Sequence, residues 1–440
     1  MERTIGFCER QATRAKGIFR FSCYTKNMEK GDIIAIFGRE PSLSLWELDR
    51  ILNVPEFRLL SRELAIFPSN GKVNEVDLQK RAGGLIKIGR VQGEAESLEQ
   101  LEVLLEKSWP DLIPAGSTAR VNFGASAYDA GLGPDRKFRQ ELGRQMQRLK
   151  KYLTTNGRSA RLVESKEPTL QAGALVQGKI LKQGFETLVL RTPEKIFWGT
   201  TETVQDIAQY GFRDFGRPSR DSLSGMLPPK VAQILINLAK AKTGEFLLDP
   251  FCGSGTILQE AVLIGIRKVC GSDISQKAVA DSKKNLEWLK KNYPDLKDCS
   301  MEIFESDIKN LLEKIKPASA DVVVTEPYLG PPQKGRAIAG NIAPLVSALS
   351  RQYVLWLEIL AKLLRPTGRI AMVWPYFRLE NHGYFLQIQE SLNQIGLKII
   401  APPPVLLNLP WFKSTPRGTL LYSRPDQVVG REIVLLAKNV

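Results

Sequence analysis

Histidine is almost absent from this chain: His382 is the only one in 440 residues. A His-rich metal site is therefore excluded, and a Ser-His-Asp or Cys-His machine can be built around one position only. Chemistry must run on carboxylates, backbone groups or a cofactor. His382 lies in Leu379-Glu380-Asn381-His382-Gly383, a loop-like stretch, and reads as a surface residue. Cysteine is scarce as well. Cys8, Cys23, Cys252, Cys270 and Cys299 are odd in number, far apart and never spaced CxxC, which argues against a disulfide framework and a structural zinc site and for reduced, buried thiols. Long apolar runs are missing too. The longest charge-free one, Ile399 to Phe412, is about 14 residues and holds Pro402, Pro403, Pro404 and Pro410, whereas a membrane span needs ~20. The first 30 residues carry Arg3, Arg10, Arg14, Lys16 and Arg20 but no apolar core segment, so they do not form a secretory signal. A cytoplasmic protein with no metal and no membrane partner is expected.

What the chain has in excess is positive charge. Lys and Arg number 62 against 47 Asp and Glu, a formal +15, which favours polyanionic partners. The surplus is uneven. Residues 136–166 hold Arg136, Lys137, Arg139, Arg144, Arg148, Lys150, Lys151, Arg158, Arg161 and Lys166 against Glu141 and Glu164 only. With charges nearly all of one sign and no i,i+4 acidic partners to lace them, this segment reads as a nucleic-acid contact rather than a solvated helix face.

The length allows two to four domains. Residues 1–27 are basic and weakly periodic, and Met28 opens a clean strand pattern, so 1–27 is expected to be an extension, with Met28 as the biological start. Residues 28–110 alternate short strands and helices, an α+β module in which Ser44 and Glu47 have capping-box spacing at a helix start. Leu85 to Ile88 reads as a strand and Leu98 to Leu105 as a helix. A second module spans 111–195, with strand periodicity over Arg120 to Tyr128. Residues 196–220 read as a linker. From 221 to 440 strands and helices alternate, which implies a parallel sheet with helices on both faces.

The chemical centre is Phe246-Leu247-Leu248-Asp249-Pro250-Phe251-Cys252-Gly253-Ser254-Gly255-Thr256, followed by the helical run Ile257 to Ile264: strand, glycine turn, helix. A dinucleotide fingerprint wants a third glycine where this chain has Leu258, and a pyrophosphate would be repelled by Asp249. S-adenosylmethionine, with an ammonium and a sulfonium, fits that carboxylate better on charge. Further acids follow at strand ends. Asp273 closes Lys268 to Asp273 and is placed for ribose hydroxyls. Asp307 closes Ile303 to Asp307 and is placed for an adenine amine. Glu326, Pro327 and Tyr328 follow the strand Ala320 to Thr325. Four such acids in series point to a nucleotide-like ligand.

These motifs resemble the S-adenosylmethionine-dependent amino-methyltransferases. Arg213 to Lys230, which includes Arg217, Met226 and Leu227, resembles the block that precedes this domain in THUMP-domain-containing tRNA guanosine-N2 methyltransferases. Ser423 to Glu432, Gly38 to Leu45, Glu164 to Val176 and Lys182 to Glu186 fit the same group. The resemblance spans residues 30–435, specific in the catalytic half and looser in the THUMP half. It implies an α/β chain: a C-terminal Rossmann-like methyltransferase domain preceded by N-terminal ferredoxin-like and THUMP modules. It implies transfer of methyl to the exocyclic N2 of a tRNA guanosine, with Glu326 and the Pro327 carbonyl as acceptors for the amine and Tyr328 stacking on a flipped base. The cofactor would be held by Asp249, Pro250, Cys252, Gly253, Gly255, Thr256, Asp273, Asp307, Met226 and Leu227. The RNA would be held by Arg136, Lys137, Arg139, Arg144, Arg148, Lys150, Lys151 and Arg217, and a small activator subunit is a possible partner. Where the family has Asp or Asn followed by Pro-Pro and an aromatic, this chain has Glu326, Pro327, Tyr328 and Leu329; the acid is one methylene longer and the aromatic one place earlier. Arg213, Arg217 and Arg220 stand between RNA contact and pairing with Asp214 and Asp221. The competing readings are methylation of another exocyclic amine on DNA, rRNA or a protein glutamine, and a non-catalytic RNA-binding protein on a methyltransferase-like scaffold.

Overall fold

The computed structural model describes residues 28–53, 56–71, 73–113, 117–130, 132–220, 226–296, 298–331, 342–379, 382–424 and 427–439. The expected extension 1–27, with Cys8 and Cys23, lies outside them, as do Asp221 to Gly225 of the upstream block.

The N-terminal half builds one eight-stranded sheet. In chain order it holds β1 (Ile33–Phe37), α1 (Pro41–Leu52), β2 (Leu59–Leu60), β3 (Leu64–Phe67), α2 (Glu75–Arg81), β4 (Leu85–Ala95), α3 (Leu98–Leu112), β5 (Val121–Asp129), α4 (Arg136–Thr155), β6 (Ala160–Leu162), α5 (Ala172–Gln177), α6 (Ile180–Gln183), β7 (Gly184–Arg191), β8 (Ile196–Val204) and α7 (Ile207–Phe215). The strand order is β2-β3-β1-β4-β8-β7-β5-β6. The stretch 196–220 is therefore not a linker. Its first half, β8, is a central strand, antiparallel to both β4 and β7, and its second half carries α7. Only Ile196 to Trp198 look strand-like in sequence; Gly199 and the threonines after them read as connective. Two neighbouring strands supply the hydrogen bonds, and at Gly199 a Cβ would collide with the Arg90 carbonyl, so that position must be glycine.

The capping-box expectation also fails. Helix α1 starts at Pro41, whose fixed φ suits a first turn, so Ser44 and Glu47 lie inside the helix on its buried face. Ser44 Oγ donates to the Gly84 carbonyl at 2.8 Å, and Glu47 accepts from the Gly83 and Gly84 N–H groups at 2.9 and 2.7 Å.

The C-terminal half builds a nine-stranded sheet from α8 (Pro229–Leu238), β9 (Phe246–Asp249), α9 (Thr256–Leu263), β10 (Lys268–Asp273), α10 (Gln276–Asn292), β11 (Ser300–Glu305), α11 (Leu311–Lys314), β12 (Ala320–Thr325), α12 (Ile342–Leu363), β13 (Leu364–Leu379), β14 (His382–Phe385), α13 (Gln389–Ile395), β15 (Leu397–Ile399), α14 (Pro404–Leu407), β16 (Leu420–Tyr422) and β17 (Val429–Lys438). Its main order is β11-β10-β9-β12-β13-β17-β15. The first five of these run parallel and β17 is antiparallel to β13. Fully apolar strands such as Val322-Val323-Val324 suit a sheet covered on both faces. His382 is exposed, on strand β14 opposite Leu379 rather than in a loop.

The two sheets share one core. A single buried cluster includes Ile33, Leu45 and Trp46 from the first half and Leu235, Leu247 and Leu258 from the second. Cys252, Cys270 and Cys299 are free and buried. Among the described residues no helix is long and apolar enough to cross a membrane, and no group of three or more His, Cys, Asp or Glu could hold a metal ion.

Candidate functional site

The strand order reverses direction between β9 and β12, the place where open α/β sheets form a ligand crevice at their carboxyl ends. Asp249 ends β9 and Thr325 ends β12, and the Thr325 hydroxyl donates to Asp249 Oδ1 at 2.7 Å across that reversal. Asp249 is 1% exposed, and burial pushes its carboxyl up to about 7, against the lowering effect of the Thr325 and Phe251 donors. A buried carboxyl of this kind gains by admitting a cation beside it.

The glycine turn is built for tight curvature. Gly253 and Gly255 have φ of 50° and 83°, and a Cβ on Gly255 would collide with the Ser282 hydroxyl. Asp273, at the end of β10, accepts from Gly253 N at 3.0 Å and from Ser275 N at 2.9 Å, so it holds the turn and steadies the entry to α10. Each oxygen keeps a second lone pair for a ligand. The next residue, Ile274, is 68% exposed, an apolar side chain presented at the carboxyl end of β10. Asp307 lies just beyond β11 and accepts from Lys309 N at 3.0 Å. The four sequence-predicted acids thus stand at the carboxyl ends of four neighbouring parallel strands. Pro250 and Cys252 line the turn, with Cys252 N donating to the Ser272 carbonyl at 2.9 Å and its thiol pushed up by burial.

Arg217 departs from its expected role. It is 3% exposed and lies under the start of α9, not on an RNA-facing surface. Its Nη1 donates to Thr256 Oγ1 at 2.7 Å and its Nη2 to Met226 Sδ at 2.9 Å, while Nε has no hydrogen-bond partner among the described residues. Arg213 is also buried and pairs with Glu260 of α9 at 2.7 Å, not with Asp214. Both arginines tie the upstream segment to the helix that follows the glycine turn. Arg220 lies over the Phe215 ring at 4.8 Å. Leu227 is buried in the shared core.

The loop after β12 carries Glu326, Pro327 and Tyr328. Glu326 is held by Arg431 of β17, with Nε to Oε2 at 2.5 Å and Nη2 to Oε1 at 3.0 Å; the side chains are 13% and 11% exposed. Pro327 is buried and Tyr328 is 53% exposed. The Tyr353 hydroxyl of α12 donates to the Tyr328 carbonyl at 3.0 Å, fixing the loop from below.

The basic segment is α4 and β6. Acidic partners do exist for part of it, a correction to the reading of unlaced charge. Arg144 and Arg148 pair with Glu141, Arg148 also with Glu102 of α3, and Arg139 with Asp129 of β5. Glu141 lies on α4 itself, three residues before Arg144, while helix spacing hides Glu102 and Asp129, which come from other elements. Arg136, Lys137, Lys151, Arg161 and Lys166 are exposed, and Lys150 is half-buried.

Sequence reasoning missed Thr325, Ile274, Tyr353 and Arg431. Ile274 and Thr325 adjoin acids already singled out, and Arg431 lies in the Ser423 to Glu432 block, which was the available signal; Tyr353 carries none.

Comparison with known proteins finds relatives of part of the chain and a likeness of fold over most of it. A family model described as RMKL-like, methyltransferase domain, matches residues 217–374. The tRNA (guanine(10)-N2)-dimethyltransferase of Methanothermobacter thermautotrophicus is 38% identical over 108 residues, 24% of this chain and 28% of that protein. The enzyme of the same name from Methanocaldococcus jannaschii is 37% identical over 109 residues, 24% of this chain and 29% of that protein. The matched span is thus under a third of these relatives' length. The crystal structure of TrmN from Thermus thermophilus is 19% identical with a TM-score of 0.52, covering 92% of this chain and 99% of that one, a likeness of fold.

Proposed function

We propose that the chain is a cytoplasmic methyltransferase that uses S-adenosylmethionine to methylate the exocyclic N2 amine of a guanosine in tRNA. The observation that carries this reading is a row of strand-end acids around a cation-favouring crevice, with an acceptor loop beside it, inside the span that matches a methyltransferase domain. The relatives' names make guanosine 10 the position to test first.

The residues fit the cofactor. Asp249 is a buried carboxyl able to face a cation, Gly253 and Gly255 allow close backbone approach, Asp273 has acceptor capacity left for hydroxyls, and Ile274 offers an apolar face for an aromatic ring. Bound there, the cofactor supplies an electrophilic methyl group on a sulfonium. The chain has to position the amine. Guanine N2 is a poor nucleophile because its lone pair is delocalised into the ring. Glu326 and the Pro327 carbonyl accept its two N–H bonds and aim the nitrogen, so catalysis is orientation plus charge stabilisation. The exposed Tyr328 ring is available to stack on a base drawn out of its helix.

We read the N-terminal sheet as ferredoxin-like and THUMP modules fused into one layer, with β8 as the seam, and the exposed cations of α4 and β6 as the tRNA grip. The test is methyl transfer to tRNA lacking the mark, followed by nucleoside mass spectrometry. N2-methylguanosine should appear with wild-type chain and vanish with Glu326→Ala. A methyl mark on adenosine, or on DNA in preference to tRNA, would overturn the assignment.

A further inference from the structure

We propose that Arg431 is a positioning residue that makes Glu326 usable as the amine acceptor. The inference rests on the function proposed above and deepens it at the same site.

Glu326 occupies the place where the resembling motif has a shorter side chain. A glutamate has one more rotatable bond than an aspartate, and an unrestrained carboxylate there would wander by more than the ~1 Å that separates productive from unproductive geometry. Arg431 removes that freedom. Its fork binds both oxygens, the pairing arrangement with the narrowest geometric tolerance. The fork is itself anchored. Arg431 sits on β17, opposite Pro375 of β13 and Tyr422 of β16, so it is carried by the sheet rather than by a loop.

Two further consequences favour an acceptor role. A carboxylate oxygen has two lone pairs, so after binding one guanidinium N–H each oxygen still has one to offer the amine. The guanidinium also cancels a charge the crevice could not easily hold. Burial is the main cause of Asp249's raised pKa, with the Asp273 and Glu326 carboxylates adding to it, and without Arg431 Glu326 would be an uncompensated carboxylate beside that group. Among the described residues, Asp249 of β9, Tyr353 of α12 and Tyr422 of β16 lie within electrostatic reach of this pair.

The test uses full-length chain, tRNA substrate and four variants: Arg431→Met, Arg431→Lys, Glu326→Gln and the Arg431→Met, Glu326→Gln pair. Arg431→Met should lower kcat by about 100-fold while leaving the dissociation constants of S-adenosylmethionine and tRNA within about threefold. Arg431→Lys, which restores charge but not the fork, should recover about tenfold of that loss. In the Glu326→Gln background Arg431→Met should cost little more, because its effect runs through the carboxylate. If Arg431→Met does not fold, the Lys variant and its kcat-against-KM split decide. Wild-type kcat in Arg431→Met, a kcat that rises when Arg431 is removed, or losses that simply add in the pair would each overturn the inference. An inactive wild type would sink both it and the proposed function. An active wild type that needs Glu326 but is indifferent to Arg431 would sink the inference alone.

Discussion

Asn237→Ala tests how the two halves are held together. Asn237 lies on α8, 1% exposed, facing α1 and α2. Its Nδ2 donates to Glu47 Oε1 at 2.7 Å and to the Arg81 carbonyl at 2.8 Å, and its Oδ1 accepts from Arg81 Nε at 3.0 Å. Arg81 continues across the seam to the Ala241 carbonyl at 3.1 Å, and Glu47 anchors the Gly83-Gly84 turn. Alanine removes three hydrogen bonds, two of them involving ionisable groups, and leaves a buried carbonyl, guanidinium N–H and carboxylate oxygen short of a partner. At ~1–3 kcal/mol for each stranded group, with partial relaxation, the cost should be about 3 kcal/mol. Denaturant unfolding measures it. If the exposed cations of α4 and β6 grip tRNA as proposed, the seam also holds that grip against the C-terminal half, so kcat/KM for tRNA should fall more than affinity for S-adenosylmethionine. A stability loss below ~0.5 kcal/mol, the size of an ordinary surface change, would refute the view that this network locks the halves together.

Two buried carboxyls set a pH dependence. Burial pushes both Asp249 and Glu47 up to about 7, above their unfolded values, so stability present at acid pH is lost as pH rises toward 7, on the order of 3 kcal/mol per group. Asp249→Asn should flatten that decline between about pH 4 and 7 in cofactor-free protein, and an unchanged profile would exclude Asp249 as its source. Arg217→Ala should weaken S-adenosylmethionine binding by about tenfold through the start of α9 and leave tRNA affinity unaltered, as judged by calorimetry and filter binding. Charge reversal at Lys137 and Lys151 should do the opposite, weakening tRNA binding and reducing the salt slope by about 0.7–0.9 for each phosphate that is no longer neutralised. Lys87→Met strands Glu186, which pairs with Lys87 at 2.6 Å and also accepts from Ser126 and Thr201 inside the first sheet. It should cost about 3–5 kcal/mol in thermal or denaturant unfolding.

The C-terminal half was legible in sequence because its information is local. An apolar strand, an acid and a glycine turn are adjacent in the chain, and the repeat of strand and acid fixed which end of the sheet would bind. The first half was less legible because its organisation is not local. β8 pairs with β4 and β7 although more than 100 residues separate it from β4, and its threonines carry no mark of a central strand. Ser44 and Glu47 match a capping pattern, yet they serve a turn 40 residues away. The arginines show the same limit from another side. Sequence counts Arg213, Arg217 and Arg148 alike as positive charge, but folding buries the first two and pairs the third, so a charge surplus overstates the surface available to a polyanion.

The near absence of histidine acquires a physical meaning from the site. Imidazole is the side chain whose ordinary pKa lies near neutrality. This chain has one, exposed on β14. Burial brings two carboxyls to about the same range instead, one at the crevice floor and one at the seam between halves. The proposed acceptor, Glu326, is treated differently: a guanidinium holds it paired. A carboxylate that must only orient an amine gains from being fixed and charge-balanced, whereas one facing a cation gains from a dry, poorly compensated setting. Asp249 and Glu326 lie at the ends of adjacent strands, and the placement of a single arginine separates their roles.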